Sequence, residues 1–478
     1  MKRAALLALA LSFVVTGCGE DPSSPLVCNA WAVADGGACR ARAFTLPADG
    51  EALSGPGARR VSVAFDSEGR ALVVWDEAGA VNVDELFVAE EDAGGGFSLH
   101  EPAEALEGLS SQGVVLGGAA GDAVVAWRQA GGDGSSRVFV SERGTDGAWI
   151  HPAGEEDSFS FGAKAYEPRV AARPSGETLI VWNQWYDPEH YGVALATRPS
   201  PGAPWAMPAS ATDVLSPPSY FSNAPQITVN DRGDGLISWY QSGGGPLMAF
   251  CSERFAGGAF SRPAVDDFLS APGGEIDSDQ IANPKPALAF DGRAAVTWTQ
   301  HDGGGAVAIF LATRDAEGAW TRPASLADTF STGEGESRDA RAAFGPSGEM
   351  YVVWSQDEDD SGDPSVYLAQ RAPGGEWVHP GKQPLVLSTP GAQAITPILV
   401  VGRSGGALVA WSERVDGRFR IAARRGGPEG FGAIEILSTP GEDAFWPAAA
   451  IGGPGERAVV AWIEGDPQIA RVRAAFVE

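Results

Sequence analysis

Short apolar runs that close on tryptophan recur along this chain, each long enough for one buried strand and too short for a helix. They read ALVVW to Trp75, AVVAW to Trp127, TLIVW to Trp182, GLISW to Trp239, AAVTW to Trp298, MYVVW to Trp354, ALVAW to Trp411 and AVVAW to Trp462. Two residues after each tryptophan stands a Glu or a Gln: Glu77, Gln129, Gln184, Gln241, Gln300, Gln356, Glu413 and Glu464. The first and last tryptophans are 387 residues apart over seven intervals. That is a period of about 55 residues, in the range of propeller repeats.

Before each tryptophan run comes an alternating segment, often opened by proline, as in Pro168-Arg-Val-Ala-Ala, Pro225-Gln-Ile-Thr-Val, Pro286-Ala-Leu-Ala-Phe and Pro397-Ile-Leu-Val-Val. Period-two alternation predicts a strand, and proline is tolerated at a strand's first residue. A glycine-bearing turn separates the two segments, as a tight hairpin requires. A third strand follows a variable loop and reaches an arginine at Arg143, Arg198, Arg254, Arg314, Arg371 and Arg424. A fourth element carries an aromatic at Phe97, Trp149, Trp205, Phe260, Trp320, Trp377 and Phe431. Four short antiparallel strands per repeat predict an all-β chain: an eight-bladed β-propeller over residues 44–478, with seven blades as the alternative. The last repeat stops one strand short, and Phe44-Thr-Leu at the other end matches the missing element. The N-terminal strand is therefore expected to complete the final blade and close the ring.

Lys2 and Arg3, an apolar run from Ala4 to Val15 and then Thr16-Gly17-Cys18 predict a cleaved signal peptide over residues 1–17. The run is too short for a permanent membrane span. Val15-Thr-Gly-Cys18 resembles a bacterial lipobox, which implies lipidation of Cys18. With Gly19 next, the same resemblance implies an outer-membrane lipoprotein, held to the membrane through its lipid alone. Residues 18–43 then form a linker, in which Cys28 and Cys39 are expected to make a small disulfide loop. Loss of Lys2 and Arg3 takes the formal charge from −28 to −30. Such a balance disfavours nucleic acid and anionic surfaces as partners.

Thr313-Arg-Asp-Ala-Glu-Gly-Ala-Trp320 resembles the Asp-box of bacterial neuraminidase repeats, with Thr313, Asp315 and Trp320 in place and Gly318 one position late. The likeness is to the sialidase-like propeller superfamily as architecture. Its enzymes, as a family, use six blades, an arginine triad, a tyrosine nucleophile with a glutamate partner and an N-terminal Phe-Arg-Ile-Pro motif, which this chain lacks. No catalytic residue is assigned.

The richest loop follows the third tryptophan strand: Trp185-Tyr186-Asp187-Pro188-Glu189-His190-Tyr191. The following inter-blade link brings Tyr220, Phe221 and Asn223. Aromatics beside carboxylates and amides suit sugar stacking or a peptide groove, against the alternative of a loop packed on itself. Asp357, Asp359, Ser361 and Asp363 repeat the opening of a calcium loop, but Leu368 stands where an EF-hand needs its twelfth-position Glu. An acidic solvated loop is the alternative there, and no other cofactor is expected. These residues predict a monomeric, non-catalytic, extracytoplasmic binder of a glycan or protein ligand. An envelope scaffold and a divergent glycoside hydrolase or lyase are the two alternatives.

Overall fold

The computed structural model describes residues 32–35, 38–41, 43–46, 52–78, 84–100, 110–117, 122–131, 134–162, 164–187, 190–216, 221–242, 245–276, 283–301, 306–331, 335–358, 361–378, 385–466 and 468–477. Cys18, Cys28, Glu189, Tyr220 and Asp359 lie outside them. Cys39 falls on a short strand, Ala38–Ala41, paired with Ala32–Asp35. No helix among the described residues is long and apolar enough to cross a membrane.

Every tryptophan run is the second strand of an antiparallel meander, for example Lys164–Ala172, Thr178–Asp187 and His190–Arg198 in unit three. The eight strand-ending indoles are at most 1% exposed. Each packs on the unit before it: Trp127 clusters with Leu72 and Val74, Trp182 with Val124 and Ala126, Trp462 with Leu408 and Ala410. A tryptophan buries roughly 150–250 Å², so this one position joins each unit to its neighbour. In five units the indole stacks on the ring directly across the ladder, as with Trp75 on Phe87 at 5.8 Å and Trp354 on Tyr367 at 5.7 Å.

Counted by continuous hydrogen bonding, the propeller is a ring of seven sheets, so the expected eight blades give way to the alternative of seven. Units two and three share one seven-stranded sheet, because Lys164 runs parallel beside Ser136. The Ser136 hydroxyl also donates to the Ala165 carbonyl at 2.9 Å. Within that double sheet each tryptophan strand keeps its own two antiparallel neighbours.

The ring closes as expected. Thr45 and Phe476 exchange both backbone hydrogen bonds, at 2.6 and 3.1 Å. Phe44 is buried among Leu408, Trp462 and Val477. Across the same seam Arg457 holds Glu91 at 2.8 and 2.9 Å, and Trp75 packs with Val459 and Ala461.

Candidate functional site

Two repeated polar positions, the Glu or Gln after each tryptophan and the arginine of the third strand, help to hold the ring together. All eight indole N–H groups donate to the Glu or Gln two residues on, from 2.9 Å in Trp354 to 3.2 Å in Trp127. In several units the same side chain also binds the strand or link entering the unit. Gln184 donates to the Lys164 carbonyl at 3.0 Å, and Gln300 to that of Ala271 at 2.8 Å. Glu413 accepts from the Thr389 N–H at 3.1 Å. In units two to five the arginine that ends the third strand reaches back to carboxylates of the preceding unit, whereas Arg371 of unit six meets the Met350 sulfur at 3.8 Å. Arg143 meets Glu90 at 2.6 Å and Asp66 at 2.8 Å, Arg254 meets Glu177 at 2.7 Å through both nitrogens, Arg198 meets Asp122 and Glu142, and Arg314 meets Glu253. In unit seven this register position is Gly426, two residues beyond Arg424. Cys251 is buried, and desolvation raises its thiol pKa, so it is no nucleophile.

The aromatic loop of unit three does form a cluster with unit four. Tyr166, Trp185, Tyr191, Phe221 and Tyr240 follow one another edge to face or tilted, with centroids 6.3, 4.4, 4.7 and 6.4 Å apart. Lys164 lies 4.5 Å over Trp185, and Arg128 4.9 Å over Tyr166. Tyr186 stacks on His190 at 6.1 Å, and His190 Nδ1 sits 2.7 Å from the Asp187 carboxylate. Except for buried Tyr240, the five rings of the row are half-buried: their edges pack on one another and part of each remains open. The buried Trp185 Nε1–H has no hydrogen-bond partner among the described residues. Beside the rings runs an amide relay: Asn183 donates to Asn223, and Asn223 donates to the Tyr240 hydroxyl at 2.9 Å. Desolvation raises the Tyr186 phenol to about 12, with Asp187 adding to it. It also raises Tyr191 and Tyr240, although the Asn223 hydrogen bond opposes the shift at Tyr240. All three stay protonated at neutral pH and offer hydroxyls rather than phenolates.

Of the residues singled out in the sequence, Trp185, Tyr186, His190, Tyr191 and Phe221 lie together here, and Tyr166, Tyr240, Arg128 and Lys164, which the sequence reading did not name, join them. Tyr240 and Arg128 had a detectable signal, since both directly follow a repeat tryptophan, and so does Asn183.

The calcium loop is only partly described. Asp357 accepts from the Ser361 and Gly362 N–H groups at 3.1 and 2.7 Å, which commits its carboxylate to its own turn. Asp363 is exposed, and its N–H donates to the Ser361 hydroxyl. Among the described residues no three His, Cys, Asp or Glu side chains are grouped to hold a metal.

The first strands line a central channel, and here the structure shows something the repeat pattern hid. A β-bulge interrupts these strands just before the proline position, placing Glu167, Ala224, Asp339, Thr396 and Trp446 in left-handed backbone at φ between 52 and 60°. Bulges re-aim side chains and are common beside binding sites. Just past the bulge, the residue paired with the one preceding each tryptophan occupies the same level in every unit. In units three to six it is Arg169, Gln226, Lys285 and Arg341. Elsewhere it is Ser62, Val114, Ile398 or Ala448. The pairing of Lys285 also corrects the sequence alignment: Pro284, not Pro286, opens the fifth repeat. The channel end beneath the hairpin turns holds a cavity of about 1040 Å³, lined by Ala172, Thr228, Ala343 and Ala450 among others. An ion pair at 2.9 Å between Arg403 of unit seven and Asp231 of unit four spans that end.

No protein-family model and no curated protein sequence matches the chain. Its similarity to known proteins is to solved structures and is low in sequence. An ulvan lyase of polysaccharide lyase family PL25 aligns at 12% identity over 89% of this chain and 95% of its own, with a TM-score of 0.49. The BP39L lectin from Burkholderia pseudomallei aligns at 12% identity over 80% of this chain and 100% of its own, also at 0.49. The Hadza microbial sialidase Hz136 aligns at 13% identity over 73% of each chain, at 0.37.

Proposed function

We propose that this chain is a lipid-anchored envelope protein, held in the outer membrane through Cys18, whose propeller binds a glycan or protein ligand on its loop face without transforming it. The observation that carries the binding reading is the row of half-open rings from Tyr166 to Phe221. It is bordered by the Asn183–Asn223–Tyr240 relay and by an unpartnered Trp185 N–H. Sugar rings bind to aromatic faces with hydroxyls held by nearby amides, and a glycan is the favoured ligand for that reason. The protonated phenols and the commitment of the repeated Arg and Glu positions to inter-unit clamps argue against a catalytic role for those groups.

Retention on a glycan array, lost in Tyr191→Ala and Trp185→Ala variants that keep their melting temperature, is the expected result. Unchanged retention in both variants removes this site. Turnover of fluorogenic glycosides overturns the non-catalytic reading, and co-purification with envelope proteins in place of glycan retention favours the scaffold role. Labelling by a palmitate analogue, abolished in Cys18→Ala, tests the anchor.

A further inference from the structure

The arginines that clamp the units all face carboxylates, whereas two arginines in the central channel do not. Among the described residues, Arg169 and Arg341 have no carboxylate at ion-pair distance. Arg169 touches the Gln226 side-chain oxygen at 3.4 Å and the Pro168 carbonyl at 2.9 Å, while Arg341 reaches the Pro397 carbonyl at 3.1 Å. Lys285 stands 3.7 Å from Asp339 with its side chain 15% exposed. These three cations come from units three, five and six at a single register level. The carboxylates nearby are Glu167 and Asp339, both on the bulges, which leaves one positive charge in excess in a chain whose formal charge is −28.

Their charges act on one another inside the channel. Desolvation lowers the Arg169 pKa; Glu167 offsets this in part, and Arg341 and Arg60 lower it further. Desolvation followed by Arg341 brings Lys285 down to about 8, against the pull of Asp339. Arg169 and Arg341 are half-buried, and partly desolvating a guanidinium without a counter-charge is unfavourable, the more so with two in one channel. Guanidinium groups match planar or tetrahedral oxyanions through paired N–H donors, and an ammonium adds a point charge.

We propose that this level of the channel is an oxyanion site, in which Arg169, Lys285 and Arg341 hold a carboxylate or sulfate group and the Gln226 amide adds a neutral donor. The anion is either a free inorganic ion or the acidic substituent of a sugar, and the second source rests on the glycan reading above. Trp446, 56% exposed and at the same bulge position in unit eight, supplies an aromatic surface suited to the ring of such a sugar.

The test is a thermal-shift and calorimetric titration of the mature protein with sodium sulfate and with sodium glucuronate. Sodium chloride at matched ionic strength and glucose serve as controls. Both anions are expected to raise the melting temperature beyond the chloride control, with affinity at least about tenfold weaker in Arg169→Gln and Arg341→Gln. Absence of any shift in the wild type overturns the site, and that result does not depend on whether the variants fold. Equal shifts in wild type and both variants overturn it as well. Sulfate binding without retention of acidic glycans supports the site with a free anion as its ligand, and the glycan reading then fails alone. Tyr191-dependent retention of neutral glycans with no response to either anion has the opposite meaning: the channel proposal fails and the glycan reading stands.

Discussion

Replacing Arg143 with methionine isolates the energy of one inter-unit clamp. Its guanidinium is 1% exposed and meets Glu90 at 2.6 Å and Asp66 at 2.8 Å, with Asp66 fully buried. Removing one partner of a buried ion pair costs about 3–5 kcal/mol, because the other charge is left desolvated. Both carboxylates retain some support. Arg70 Nε holds Asp66 at 2.8 Å, the Glu68 and Arg70 N–H groups donate to it at 3.0 and 2.9 Å, and Trp149 donates to Glu90 at 2.5 Å. Methionine fills much of the vacated volume. The expected loss is therefore near the low end, about 3 kcal/mol, read from urea unfolding followed by circular dichroism with the m-value unchanged.

The same variant carries a pH signature. Burial raises the Asp66 pKa, but hydrogen bonds from the Arg70 backbone, Arg143 and Arg70 outweigh it, and the net pKa lies below its ordinary value of 3.8. A carboxylate depressed in the native state contributes stability above its unfolded pKa and loses it as pH falls through the native one. Arg143→Met should therefore flatten the acid limb of the stability profile. Arg341→Met is the internal contrast: with no ion pair to break, it should leave stability within about 1 kcal/mol or raise it. A loss below about 1 kcal/mol in Arg143→Met, or equal losses in the two variants, would refute the distinction between clamp and channel arginines.

Trp354→Ala should cost at least about 3 kcal/mol, since the indole is fully buried and bonded to Gln356 at 2.9 Å; a loss under about 1 kcal/mol in urea unfolding contradicts its anchoring role. Deleting residues 44–46 removes the Thr45–Phe476 pairing and buried Phe44, so the melting temperature should fall sharply, and an unchanged value rules out closure through this strand. Lys285, lowered to about 8 from an ordinary 10.5, is charged in both states below pH 8 and in neither well above 10.5. The cost of charging it, roughly 3 kcal/mol, should thus fade across that window, and a stability difference between wild type and Lys285→Met that stays constant there contradicts it. Calcium should leave the melting temperature unchanged, because the Asp357 carboxylate is committed to its own turn; a rise abolished by Asp357→Asn reverses that conclusion.

The aromatic row was half legible in the sequence because one loop carries several of its rings in succession. Its other members are spread over three units. Arg128, Tyr166 and Tyr240 are 38 to 112 residues apart, and only the docking of one unit against the next brings them together. The channel cations were illegible for a different reason. Each looked like an ordinary polar residue in an alternating strand, and nothing in a linear reading shows that the strand is the innermost one.

By itself the sequence determined the meander, its period and the closing strand at the N-terminus. These depend on local alternation, turn glycines and a bulky anchor at a fixed place, all properties of short segments. It also placed each Glu or Gln on the same face as its tryptophan, since residues two apart on a strand share a face; the indole hydrogen bond between them is seen only in the folded chain. Only the tertiary structure decided that units two and three fuse into one sheet, because that depends on a single parallel contact between Lys164 and Ser136. Only it decided which charges are spent on clamps and which are left facing the channel. Whether a guanidinium has a counter-ion is set by what the neighbouring unit presents, and that neighbour is some 55 residues away along the chain.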